Sequence, residues 1–341
     1  MTSSLSKLTS SRRRFLKHAL AAPLIGSGVG LASAASPVAK FQRNERCMSV
    51  LKRLRGPMAS VTQPYNRDFS IDHGALRAWV DYMCENKAPI LFMTYGDSEL
   101  GFLSEEEIEA VTRTVCSQAR GRALVLGGTG EWWTNRTIDF INRVEDSGVD
   151  ALNVHIGGLC RNEDEIYGAF KEIDSKTQVP LLAVDRKYSL DLMLKLAQLP
   201  KVIGDKCHEE LYNYHKFIRE TRPYHFAVVG AGQMKHFLFG YLIGSPAYLC
   251  PITPFAPKIG VDFFNALERG DFVTAKEMTF KYEDALLKVT GKLGYPHCYK
   301  SLIHLSGQYK TTLMRSPRTG NTPEQVAELK AFLLKSGMLP S

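Results

Sequence analysis

The chain has 341 residues, of which 44% are hydrophobic, 23% charged and 10% aromatic, a balance that supports a large buried core and excludes disordered and fibrous architectures. Its formal charge of +8 is unevenly placed, because residues 1–36 hold Lys7, Arg12, Arg13, Arg14 and Lys17 and no acid. Taking those five from the 43 basic residues leaves 38 against 35 acidic ones, which is no phosphate-binding excess, and no nucleic-acid partner is expected.

The front of the chain is the first segment with a reading of its own. Ser11-Arg12-Arg13-Arg14-Phe15-Leu16-Lys17 precedes an apolar, Gly/Ala-rich run from Ala19 to Ala35, and the arrangement resembles a twin-arginine export signal. Pro23, Gly26, Ser27, Gly28 and Gly30 make the run too weakly hydrophobic for a membrane span. Ala32-Ser33-Ala34 offers small residues where a signal peptidase reads, with cleavage before Ala35. Residues 1–35 are therefore expected to be a signal peptide read by the twin-arginine export machinery. The protein then works in the periplasm or outside the cell. Residues 36–55 are expected to be a loosely ordered N-terminal linker.

Beyond Arg55 short apolar runs alternate with longer amphipathic ones. Strands are predicted at Pro57–Thr62, Ala88–Tyr95, Ala123–Gly128, Ala151–Ile156, Pro180–Asp185, Lys201–Cys207, His225–Gly230 and Ala247–Ile252. Helices are predicted at Asp72–Asn86, Ser104–Gln118, Thr134–Ser147, Asn162–Ser175, Ser189–Leu199, Glu209–Arg222 and Gln233–Leu242. Ser104 with Glu107 three residues on has capping-box spacing. Parallel strands need right-handed helical crossovers, and eight such units close on themselves, so an α/β fold of the (β/α)8 TIM-barrel type is expected over residues 56–257. Residues 258–341 read as a C-terminal helical region whose last helix covers Val326–Lys335. The seven cysteines show no Cys-x-x-Cys pair and no zinc spacing, so neither a metal nor any other cofactor is implied.

Catalytic groups of such a barrel come from the carboxyl ends of its strands. Lys206 closes the run Val202-Ile203-Gly204-Asp205-Lys206. Facing inward at an apolar barrel mouth, its amine would lose charge through burial and could attack a ketone to form an iminium. The same lysine could instead reach solvent and pair with a loop acid. Gly230-Ala231-Gly232 lacks the third glycine of a dinucleotide fingerprint. Trp132-Trp133 could stack on a sugar, form a subunit contact or cover the barrel.

Several landmarks occur together and in order: Val61-Thr62-Gln63-Pro64-Tyr65 with Ile71-Asp72, Thr94-Tyr95-Gly96-Asp97-Ser98 with Leu103-Ser104-Glu105-Glu106-Glu107, Gly127-Gly128-Thr129-Gly130 with Thr134, the run ending at Lys206, and Leu313-Met314-Arg315-Ser316-Pro317. With these the chain resembles the dihydrodipicolinate synthase / N-acetylneuraminate lyase family of class I aldolases from about Gly56 to Pro340. The resemblance implies a Schiff base between Lys206 and an α-keto acid such as pyruvate. It puts the carboxylate-binding loop at Thr94, Tyr95 and Gly96, with Tyr95 in place of the family's second threonine, and a further substrate-binding position at Gly230. It also implies a homodimer or homotetramer.

Three departures accompany the resemblance. The family's relay tyrosine after strand five falls on Val184, its Tyr-Tyr pair after strand four on Gly157-Gly158, and its substrate arginine near Ser189. A lysine-synthesis role is therefore not expected. His155, Asp185 and Glu131 are the groups that could replace the missing acid–base function. The expected function is an exported aldolase or lyase acting on a keto acid or sugar acid. The alternative is an impaired barrel that binds a keto acid or carbohydrate without turnover.

Overall fold

The computed structural model describes residues 41–184 and 187–339. The expected signal peptide lies outside the described residues, as does Asp185. Eight parallel strands close into a barrel, with β8 pairing back onto β1. The strands are β1 Gly56–Ser60, β2 Ile90–Phe92, β3 Leu124–Glu131, β4 Ala151–His155, β5 Leu181–Val184, β6 Val202–Cys207, β7 Ala227–Gly230 and β8 Ala247–Leu249. The (β/α)8 architecture expected from the alternation of elements is thus the observed one.

Helix α1, Glu45–Arg53, precedes the barrel. Strands β1 to β7 are followed in turn by α2 His73–Glu85, α3 Glu105–Ala119, α4 Thr134–Val144, α5 Glu163–Lys176, α6 Leu190–Ala197, α7 Leu211–Thr221 and α8 Met234–Ile243. Their starts follow from local chemistry. Ser104 accepts from the Glu107 amide while Glu107 reaches back to the Ser104 amide, which closes the capping box at α3. Asp72, Asn162 and Ser189 cap α2, α5 and α6 in the same sense with a side-chain oxygen.

After β8 come α9 Pro257–Glu268, α10 Phe272–Met278, a π-turn at Thr279–Glu283, α11 Asp284–Leu293, α12 Tyr295–Leu305 and α13 Pro323–Ser336. Helix α9 packs on β1, with Phe264 beside Gly56, and takes the eighth place in the outer ring. The barrel's helical layer therefore runs past residue 257 to Glu268.

Strand alternation divides the core in two. Met58, Ile90, Phe92, Leu124, Leu126, Leu182, Ile203, Val229 and Leu249 fill the barrel interior. Their neighbours, among them Leu91, Val125, Leu152, Ala183 and Val228, face the helices. Cys47, Val50 and Leu54 of the N-terminal segment join the interior cluster at 3% exposure or less. A fully buried aliphatic side chain contributes about 1.5–3 kcal/mol, enough to order a segment that the sequence reading treats as a loose linker. The signal was present in the spacing of those three residues and in Asn44, whose side chain accepts from the Cys47 amide at 2.8 Å. Arg43 reinforces it with hydrogen bonds of 2.9–3.0 Å to the carbonyls of Ala197, Leu199, Pro200, Tyr224 and His225.

Candidate active site

Lys206 reaches the barrel mouth by way of a strand irregularity. Leu181 pairs with Val202 but Leu182 pairs with Gly204, so β6 carries an extra residue at Ile203. Strict alternation from inward-facing Ile203 would turn Lys206 toward the helices. The bulge reverses that parity and sets Lys206 in register with Val184 on one side and interior Val229 on the other. Only glycine fits beside it, since a Cβ on Gly204 would lie 2.4 Å from the Ala227 carbonyl oxygen.

The Lys206 side chain is 8% exposed. Burial pushes its ammonium below the ordinary lysine range, opposed by the carboxylates of Asp97 and then Asp205. Its Nζ lies 3.4 Å from Nε2 of His208, an exposed residue just past the end of β6.

Around the amine is a cavity of about 600 Å³, lined by residues that include Thr94, Asp97, His155, Val184, Lys206 and Tyr295. The Thr94–Ser98 turn forms one wall. Ser98 Oγ accepts from the Thr94 amide at 2.9 Å, and Thr94 Oγ1 accepts from the Asp97 amide at 3.1 Å. Within this turn the Tyr95 and Gly96 amides make no hydrogen bond to the described residues, which leaves two adjacent N–H donors for an anion. Burial raises the Asp97 carboxyl, while Lys206, Arg318 and the Ser60 hydroxyl draw it down.

The other candidates divide by direction. His155 lines the cavity, its Nε2 2.7 Å from Asn153 Nδ2 and its ring 5.2 Å from that of Tyr95. The Tyr95 hydroxyl itself is turned onto Gly101, where a Cβ would come within 2.9 Å of it. Gly230 faces Tyr248 and Tyr214 in the helix-side layer, and it is Ala231 that lines the cavity. Glu131 ends β3 opposite His155 and does not line the cavity. Trp132 packs edge-on against Phe140 under Arg136, whereas Trp133 is 63% exposed.

Asp97, His208 and Tyr295 escaped the sequence reading. His208 was legible in principle, because a residue two beyond an inward lysine shares its face. Tyr295 was not, since it arrives from α12, outside the barrel. Its hydroxyl is 2.8 Å from that of Tyr299, which donates to the Pro251 carbonyl at 2.8 Å. Helix α12 is held against the mouth by a buried pair, Lys300 Nζ to Glu99 at 2.9 Å, with the ammonium 4.0 Å from the centre of the Tyr65 ring. Burial lowers Lys300 to about 8 even though Glu99 opposes the shift. Arg315 lies over the same ring and binds Glu107 with both terminal guanidinium nitrogens.

Comparison with known proteins bears on this arrangement. The model of the Dihydrodipicolinate synthetase family matches residues 53–336. The chain belongs to this family. One relative is the Streptomyces coelicolor protein named "Probable 5-dehydro-4-deoxyglucarate dehydratase 2", 27% identical over 84% of this chain and 92% of its own. Another is the 4-hydroxy-tetrahydrodipicolinate synthase of Anaplasma marginale, 25% identical over 67% of this chain and 77% of its own. Among solved structures, YagE of E. coli K12, a family member in complex with pyruvate, superposes with a TM-score of 0.77 at 20% identity, covering 84% of this chain and 99% of its own. The enzyme from Aquifex aeolicus gives 0.76 at 21% identity, with 84% and 99% covered. These structures share the fold, and the named relatives place this family among the lyases.

Proposed function

We propose that this family member is a class I aldolase or lyase in which Lys206 forms an iminium with a small α-keto acid of the pyruvate kind. The iminium then serves as the electron sink for making or breaking a carbon–carbon bond in a sugar acid or related carboxylate. The reading rests on the inward Lys206 amine, which shares one cavity with Tyr95 and Gly96, whose amides are unbonded among the described residues. A keto acid carries its carboxylate one bond from the carbonyl, so two such donors beside a nucleophilic amine suit it. No metal or organic cofactor is needed for this chemistry. Borohydride reduction in the presence of pyruvate tests it, with peptide mapping expected to find the adduct on Lys206. No adduct anywhere overturns the reading.

A second reading, a barrel that binds a keto acid or carbohydrate without turnover, draws support from Val184 and Gly157-Gly158 at the family's tyrosine positions. Binding of pyruvate without trapping would favour it.

We further propose that the protein is exported by the twin-arginine route and works in the periplasm or outside the cell. Replacing Arg12 and Arg13 by Lys should leave the precursor in the cytoplasm, as fractionation and immunoblotting would show; unchanged export of the double variant would refute the proposal. A homodimer or homotetramer is the proposed assembly, consistent with exposed Leu211, Tyr212, Phe239 and Leu242 on α7 and α8. Light scattering at micromolar concentration should give at least twice the chain mass, and a monomer would contradict it.

A further inference from the structure

Imine formation moves protons both ways, so a group beside Lys206 must take them and give them back. Most groups on the cavity wall are committed elsewhere. Thr94 Oγ1 accepts from the Asp97 amide, the Tyr95 hydroxyl lies against Gly101, His155 Nε2 faces the Asn153 amide, and Tyr295 is tied to Tyr299. Burial also holds the Tyr295 hydroxyl well above the ordinary tyrosine range, so it gives up its proton reluctantly. His208 has two features that suit the role. Its Nε2 is 3.4 Å from the reacting nitrogen, and its exposure lets the ring exchange protons with water.

We infer that His208 is the proton shuttle of this site, moving protons between the Lys206 nitrogen and the keto oxygen. The inference rests on the Lys206 reading above. In the first step neutral His208 takes a proton from the Lys206 ammonium. The freed amine adds to the keto carbon, forming the C–N bond as the C=O π pair moves to oxygen, and the imidazolium protonates that oxygen. His208 then removes one proton from the positively charged nitrogen to give the neutral carbinolamine. Finally the C–O bond breaks, the leaving hydroxide takes the proton back from His208 and departs as water, and the nitrogen lone pair closes the C=N bond. Ammonium and ketone have become iminium and water, and His208 ends neutral as it began.

The test is the initial rate of pyruvate-dependent borohydride trapping, followed by intact mass. His208→Ala should trap about 10²-fold more slowly, the lower end of the loss expected for an assisted proton transfer. Added imidazole should restore much of that rate, which a purely structural role would not allow. Because His208 is exposed, its replacement leaves the fold intact, and a thermal midpoint checks this. Unaltered trapping in His208→Ala overturns the shuttle and leaves the Lys206 reading standing. So does a slow His208→Ala that imidazole does not rescue. A large loss in His155→Ala, Asp185→Asn or Tyr295→Phe in place of His208→Ala assigns the transfer to that group. Absence of any adduct on the unaltered protein removes the Lys206 reading, and the shuttle with it.

Discussion

Lys206→Ala should abolish borohydride trapping with pyruvate while the barrel stays folded, because the variant removes the nucleophile and leaves the inner-core side chains in place. The unaltered protein should also show a pH dependence of trapping with a definite sign. Only the neutral amine attacks, so with rising pH the rate climbs as the ammonium loses its proton. Burial lowers that proton affinity more than Asp97 and Asp205 raise it. The midpoint should therefore fall below the ordinary lysine value of about 10.4. Asp97→Asn should move it lower still, since it removes the carboxylate that opposes the shift most. Full trapping in Lys206→Ala would assign the chemistry to another amine. A midpoint at or above the ordinary value would mean that the amine is solvated rather than buried.

Much of this site was legible in the sequence, though for uneven reasons. The barrel followed from eight apolar runs separated by amphipathic ones, because each strand buried on both faces must read as a short, nearly continuous apolar segment. Strand ends were less legible. The run through Tyr95 suggests a strand, but the Ser98 hydroxyl captures the Thr94 amide and folds the chain into a turn, and β2 stops at Phe92. Lys206 was found by its place at the end of a run, yet the device that aims it was invisible. A bulge at Ile203 is a property of pairing between β5 and β6, not of either strand alone. Asp97 carries no signal of a role in its loop, since its approach to Lys206 depends on how that loop turns back over the mouth. Tyr295 lies on a helix whose docking no periodicity within α12 could specify.

The docking of α12 leads to the largest stability effect expected in the molecule. Lys300 and Glu99 are 1% and 4% exposed and 2.9 Å apart. Lys300→Met would leave the Glu99 carboxylate buried against Tyr65 without its cation, and breaking one side of such a pair costs about 3–5 kcal/mol. Urea denaturation should show that loss as a lower midpoint with an unchanged slope. The pair itself need not favour the fold. Lys300 is held at about 8, because burial, with Arg318 and Arg315 adding to it, outweighs the pull of Glu99. Lys300→Met combined with Glu99→Leu should therefore recover most of the stability lost in Lys300→Met, because apolar groups of similar volume carry no charge to desolvate. If the double variant were as unstable as the single one, the pair would be acting through shape rather than charge.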